Sequence, residues 1–137
     1  MKKFNCALLV DDDSTTNHLN IKTIEKMMVA EEVKVAVNGE QALNVLQNFI
    51  ETTKQAPELI LLDMYMPFMN GFEFLEYFYL KNIKNKDKVK IIILSNGINA
   101  QDKHLYHKYL AKNVSFMDKP LTEDKLWEVL NVKPLLA

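Results

Sequence analysis

Four short apolar segments of the sequence end in side chains that can take part in chemistry: Asp11–Asp13, Asp63, Ser95 and Lys119. Carboxylates that lie close together repel one another and raise each other's pKa, and a hard divalent cation such as Mg²⁺ relieves that repulsion. A carboxylate is also a competent nucleophile toward phosphorus. A phosphoryl group in transfer carries charge on its oxygens, which need a metal, a cation and a hydrogen-bond donor. Each role has one candidate at a segment end: a metal ligand in Asp12, a nucleophile in Asp63, a cation in Lys119 and a donor in Ser95.

The apolar segments are short and rich in leucine or β-branched residues, which is typical of strands buried on both faces of a parallel sheet. We predict strands at Cys6–Val10, Val33–Val37, Leu59–Leu62, Val89–Leu94 and Val114–Met117. Apolar residues at helical spacing lie between these segments and after the last one. Strands that alternate with helices predict an α/β fold, with an open five-stranded parallel sheet and helices on both of its faces. Since ligands in such sheets bind beyond the carboxyl ends of the strands, the polar side chains there are expected to converge on one rim.

Length and composition limit the class of protein further. The 137 residues suit one domain, and 48% apolar residues are enough for a core. The net charge is only -1, and the 17 Lys and Arg positions are all lysine. Because guanine and phosphate are recognised largely by arginine, we expect no nucleic-acid partner. The single Cys6 excludes an internal disulfide. No stretch approaches the roughly 18 consecutive apolar residues of a membrane span, so we expect no membrane partner. Three aspartates follow the short N-terminal apolar run where a signal peptide would continue, which predicts a cytoplasmic protein.

Four motifs lie at the strand ends, in the order Leu8–Ser14, Leu61–Gly71, Ile91–Ser95 and Phe116–Thr122. Over essentially the whole chain they resemble the receiver domain of two-component response regulators. The resemblance implies a flavodoxin-like fold with strand order 2-1-3-4-5. It also implies one receiver domain over residues 1–137, with no output domain.

The resemblance implies a Mg²⁺ site at Asp11, Asp12, Asp63 and the backbone carbonyl of Tyr65. Asp12 would bind the ion directly, and Asp11 mainly through water. Gly71 would let the loop after Asp63 return tightly into the following helix, through the conformational freedom of glycine.

The resemblance also implies that Asp63 is the phosphoacceptor. It would receive the phosphoryl group from a phosphohistidine on a histidine kinase or a histidine phosphotransfer protein. Lys119 would pair with the carboxylate of Asp63 and then with the phosphoryl group, and the Lys119-Pro120 bond would be cis. Ser95 and Phe116 would be the switch residues, although the family often has tyrosine where Phe116 stands.

A protein of this kind would catalyse only its own phosphorylation and dephosphorylation, so it would not be an enzyme that turns over an external substrate. Its signal would pass to an unidentified downstream protein by contact, through the surface formed by Ala100–Leu130.

Two alternatives remain open. Asp11–Thr15 also fits the D-x-D-x-T signature of haloacid-dehalogenase-like phosphatases, with Asp11 as the nucleophile and Asp13 as the general acid. That hypothesis leaves Asp63 without a role, and the last strand offers Asp118 but no second acid. The other alternative is a receiver fold that serves as a binding module and is never phosphorylated.

Overall fold

The computed structural model describes residues 3–112 and 114–136, and the side chains as far as residue 130. The strands are β1 (Ala7–Val10), β2 (Val33–Ala36), β3 (Leu59–Asp63), β4 (Lys90–Ser95) and β5 (Val114–Asp118). The helices are α1 (Ser14–Lys26), α2 (Gly39–Thr53), α3 (Gly71–Leu80), α4 (Lys103–Leu110) and α5 (Glu123–Leu136). Short 3₁₀ turns at Lys86–Lys88 and Ala100–Asp102 precede β4 and α4. Among the described residues, no helix has both the length and the apolar character needed to cross a membrane.

All five strands are parallel and lie in the order β2-β1-β3-β4-β5, so the predicted α/β fold and the strand order implied by the resemblance are confirmed. The predicted strand positions were correct to within one residue. The difference matters at two places, because Asp63 and Ser95 are the last residues of β3 and β4 rather than the first residues after them. Their backbones are therefore fixed by the sheet.

Successive strand side chains point to opposite faces of the sheet, and both faces are covered. One core layer contains alternate residues of β1, β3 and β4 (Leu8, Val10, Ile60, Leu62, Ile91 and Ile93) packed with α2, α3 and α4. The other layer contains the intervening residues (Ala7, Leu9, Leu59, Leu61, Ile92 and Leu94) packed with Ile24 of α1 and Leu126 of α5. This double coverage explains why β1, β3 and β4 are nearly continuous apolar runs, and it leaves the strand ends as the place for polar chemistry.

The strand register aligns these ends. Val10 pairs with Leu62, which places Asp11 beside Asp63 at the next step along β1 and β3. Ser95 pairs with Asp118, and the Lys119 backbone N–H donates to the Ser95 carbonyl at 2.9 Å. The sheet therefore brings the polar residues of four strand ends to one rim.

The turn from β3 into α3 favours a glycine for reasons of space rather than of an unusual backbone angle. A Cβ atom at Gly71 would lie 3.2 Å from both the Asp63 carbonyl oxygen and the Met64 Cα. Gly71 does not have a positive φ, so the explanation by conformational freedom was wrong. Close approach of α3 to the end of β3 would therefore place a Cβ atom here in tight contact with the main chain.

Candidate functional site

Lys119 joins two buried carboxylates at the rim of the sheet. Its Nζ lies 2.9 Å from Asp63 Oδ1 and 3.2 Å from Asp11 Oδ2. The Asp63 and Asp11 side chains are only 7% and 4% exposed, and that of Lys119 is 22% exposed. The peptide bond between Lys119 and Pro120 is cis, as the resemblance to the family implied. Lys119, directly after β5, thus forms one ion-pair cluster with Asp63 at the end of β3 and Asp11 directly after β1.

Asp12 completes an acidic group with Asp11 and Asp63. One carboxylate oxygen from each residue lies within 4.8 Å of the others, and Asp12 is exposed while the other two are buried. Octahedral Mg²⁺ holds oxygen ligands at about 2.0–2.1 Å, which places pairs of ligands about 3–4 Å apart. At separations of up to 4.8 Å, each of these three residues could supply one ligand to such an ion after a small side-chain adjustment, with Asp12 on the side open to solvent.

The pKa values of the cluster reflect burial and mutual charge. Burial raises the pKa of Asp63, and the charges of Asp11 and Asp12 raise it further against the opposing hydrogen bond from Lys119. Burial lowers the pKa of Lys119, but the hydrogen bonds and charges of Asp63 and Asp11 together outweigh it, so that the net pKa is raised. Lys119 is therefore held as a cation between the two carboxylates.

Asp13 has a different task from its two acidic neighbours. Its side chain is the N-cap of α1 and accepts from the Thr15 backbone N–H at 3.1 Å and from the Thr16 hydroxyl at 2.8 Å. These hydrogen bonds, that of the Thr16 hydroxyl first, lower the pKa of Asp13. A carboxylate held ionised at a helix N-terminus is a poor general acid, which argues against the phosphatase hypothesis.

Ser95 and Phe116 line one cavity of about 460 Å³ between β4, β5 and α4. Ser95 is buried, and its Oγ accepts from the Gly97 backbone N–H at 3.3 Å. Phe116 is partly buried against Tyr106, with 4.5 Å between the ring centroids. The two predicted switch residues therefore line the same cavity, and their role as a switch stays a prediction.

The Tyr65 hydroxyl connects the loops that follow β3 and β4, which the sequence did not predict. It accepts from the Asn99 backbone N–H at 2.9 Å and donates to Asp102 Oδ2 at 2.9 Å. Sequence analysis singled out Tyr65 only for its backbone carbonyl, whose part in metal binding stays a prediction.

Asn17 of α1 also escaped sequence analysis. It is 3% exposed, and its Nδ2 donates to the Asp11 carbonyl at 2.9 Å. A signal was present, because Asn17 occupies a helical position in line with the apolar Ile21 and Ile24, where an apolar residue is expected.

A family model for the response regulator receiver domain matches residues 7–131. The chain therefore belongs to the response regulator receiver domain family, which is a signalling domain of two-component systems.

Three relatives illustrate the similarity. A two-component response regulator from Cytophaga hutchinsonii is 29% identical, with a TM-score of 0.78 over 99% of this chain and 100% of that chain. The chemotaxis protein CheY4 from Vibrio cholerae shares the fold at 23% identity, with a TM-score of 0.72 over 93% of this chain and 97% of that chain. A protein-glutamate methylesterase/protein-glutamine glutaminase from Treponema denticola is 35% identical over 90 residues, which are 66% of this chain but only 22% of that protein.

Proposed function

We propose that the protein is a phosphorelay receiver that takes a phosphoryl group from a phosphohistidine onto Asp63 and signals by protein contact. The observation that carries this proposal is the ion-pair cluster of Lys119 with Asp63 and Asp11, beside the exposed Asp12. The phosphohistidine would belong to a histidine kinase or a histidine phosphotransfer protein.

Asp63 is suited to the role of nucleophile. It lies at the end of a fully buried strand, and Lys119 holds its Oδ1 at 2.9 Å, so that the carboxylate has a fixed direction. In the transfer, an Asp63 oxygen forms a bond to phosphorus while the bond between phosphorus and the histidine nitrogen breaks, and the imidazole leaves. A fixed carboxylate needs little reorganisation to reach the phosphorus in line with that leaving group.

The remaining residues would neutralise and sense the new charge. Asp11, Asp12, Asp63 and the backbone carbonyl of Tyr65 would hold Mg²⁺, which supplies positive charge to the phosphoryl oxygens when it is bound. Lys119, which directly follows β5, provides a second positive charge. The Ser95 hydroxyl would donate to a phosphoryl oxygen, and Phe116 would follow it into the shared cavity.

The downstream partner would contact the surface of Ala100–Leu130, which contains α4, β5 and the first part of α5. Two large apolar side chains are exposed on this surface, Leu110 at 43% and Trp127 at 48%. Exposed aromatic and aliphatic residues are typical anchors of protein interfaces.

The proposal is tested by incubating the protein with acetyl phosphate and Mg²⁺ and mapping the modified residue by mass spectrometry. We expect one acid-labile phosphoryl group on Asp63, and no labelling of the Asp63→Asn protein or after removal of Mg²⁺ by a chelator. Asp87→Asn, in the exposed 3₁₀ turn before β4, is the control and should label normally. Label on Asp11 would instead support the phosphatase hypothesis, and absence of any label would favour the binding module.

A further inference from the structure

Asn17 makes a buried contact with the main chain of Asp11. The Nδ2 group donates to the Asp11 carbonyl at 2.9 Å, and the residue is 3% exposed. The Asn17 backbone N–H donates to the Asp13 carbonyl at 3.1 Å, so the side chain starts from the first turn of α1. This hydrogen bond ties the start of the helix to the residue that leaves β1.

With the hydrogen bond from Asn17, the N–H, the carbonyl and both carboxylate oxygens of Asp11 each have a hydrogen-bond partner. Its N–H donates to the Ala36 carbonyl at 3.1 Å, and its Oδ1 accepts from the Asp13 N–H at 2.9 Å. Its Oδ2 accepts from Lys119 at 3.2 Å. The carboxylate contacts fix the side chain, whereas Asn17 and Ala36 fix the backbone that carries it.

The amide oxygen of Asn17, Oδ1, makes no hydrogen bond within the part of the chain that the structure describes, although it is buried. A buried acceptor without a partner is costly, and an apolar side chain of similar size avoids that cost. A position that served packing alone would therefore be better filled by leucine. The hydrogen bond from Asn17 Nδ2 to the Asp11 carbonyl explains why an asparagine stands here.

We propose that Asn17 is a positioning residue, which fixes the backbone of Asp11 so that its carboxylate faces both Lys119 and the Mg²⁺ site. This inference rests on the proposed function, because it concerns the metal that phosphorylation would need. Residues that orient a metal ligand without touching the metal typically change its affinity by tenfold to a hundredfold.

The test compares Asn17→Leu with Asn20→Leu. Asn20 is the matched control, because it is also a buried asparagine of α1, and no hydrogen bond joins it to Asp11. We expect Asn17→Leu to weaken Mg²⁺ binding about tenfold by isothermal titration calorimetry. We also expect the metal-free Asn17→Leu protein to exchange its Asp13 amide faster, because that amide donates to the Asp11 carboxylate. The Asn20→Leu protein should show neither change.

The stability of the Asn17→Leu protein shows whether Asn17 positions Asp11 or only supports the fold. The substitution removes the unpartnered Asn17 Oδ1 but leaves the Asp11 carbonyl without a donor, so the number of unpartnered buried acceptors is unchanged. Only one hydrogen bond is lost, so the urea midpoint of the metal-free Asn17→Leu protein should fall only slightly below that of the wild type. Asn17→Ala provides a second variant in case leucine does not fit.

Two results would overturn the inference. One is unchanged Mg²⁺ affinity in both Asn17 variants, with a wild-type protein that binds the ion. The other is a loss of affinity that Asn20→Leu shares, which would make the effect a general one of α1. A wild-type protein that neither binds Mg²⁺ nor labels at Asp63 would instead refute the proposed function, and the inference with it.

Discussion

Replacing Lys119 with methionine should destabilise the protein by an amount that the cluster geometry sets. At an effective dielectric constant of about 20, the attraction of the ammonium group is about 6 kcal/mol at the 2.9 Å of Asp63 and about 5 kcal/mol at the 3.2 Å of Asp11. Desolvation offsets much of this gross attraction, and removal of one partner from a buried pair costs about 3–5 kcal/mol. Since the Lys119 side chain is 22% exposed, we expect the lower end, about 3 kcal/mol. For a chain of this length that corresponds to a fall in Tm of about 10 °C.

The stability lost in the Lys119→Met protein should be larger at high pH than at low pH. Without Lys119, the pKa of Asp63 rises beyond its already raised value, because burial and the neighbouring carboxylates are no longer opposed. A carboxyl whose pKa is higher in the folded than in the unfolded state binds more protons when folded, so the free energy of unfolding falls as pH rises through that window. The difference between Lys119→Met and wild type should therefore be largest at pH 8 and smaller at pH 5.

Urea unfolding of the metal-free proteins at both pH values measures this effect. Lys125→Met is the control, because Lys125 donates to the backbone carbonyls of Asp118 and Pro120 and to no carboxylate. Addition of Mg²⁺ should stabilise Lys119→Met more than the wild type, since the ion then has no ammonium group to compete with. Equal stability of Lys119→Met and wild type at pH 8, or a deficit that does not shrink at pH 5, would refute the reasoning.

Two further predictions concern residues outside the ion-pair cluster. Burial raises the pKa of the Cys6 thiol from 9.0 to about 11, so at pH 8 its native thiolate is about a hundredfold scarcer, and a disulfide reagent should label it only after unfolding. Because the folded protein then holds the thiol proton more tightly than the unfolded chain, the free energy of unfolding should fall as the pH rises from 9 to 11. Rapid reaction of the native Cys6 thiol at pH 8 would contradict the raised pKa. Tyr65→Phe should speed hydrogen exchange at the Asn99 amide, measured by NMR, whereas Tyr77→Phe on the exposed side of α3 should leave it unchanged. Equal exchange in both variants would mean that the Tyr65 bridge is not formed in solution.

The main features of the site were predictable because they follow from single strands. Each buried strand must be apolar, so an aspartate such as Asp63 at the end of an apolar run is conspicuous in the sequence. The parallel arrangement then requires these ends to share a rim. The order of the strands does not follow from these patterns, since several permutations place the same apolar strands in the interior of the sheet. It came from the resemblance to the family.

The supporting contacts were not predictable because they depend on main-chain atoms or on distant loops. Asn17 donates to a carbonyl group, which every residue possesses, so no partner residue type marks the contact. Tyr65 and Asp102 lie 37 residues apart and meet only because the ends of β3 and β4 are adjacent. The end positions of Asp63 and Ser95 within the strands likewise depend on ladder hydrogen bonds to neighbouring strands.

The ion pair between Lys119 and Asp11 joins residues that are 108 positions apart. A contact between residues so far apart in sequence closes a long loop of chain. The entropy of that loop is lost before the contact contributes any stability, so such contacts are slow to form. β5 pairs only with β4 in the sheet, so pairing of β1 with β3 alone would bring the acidic residues together without their lysine. The complete cluster of Asp11, Asp63 and Lys119 is thus a property of the finished sheet rather than of any pair of its strands.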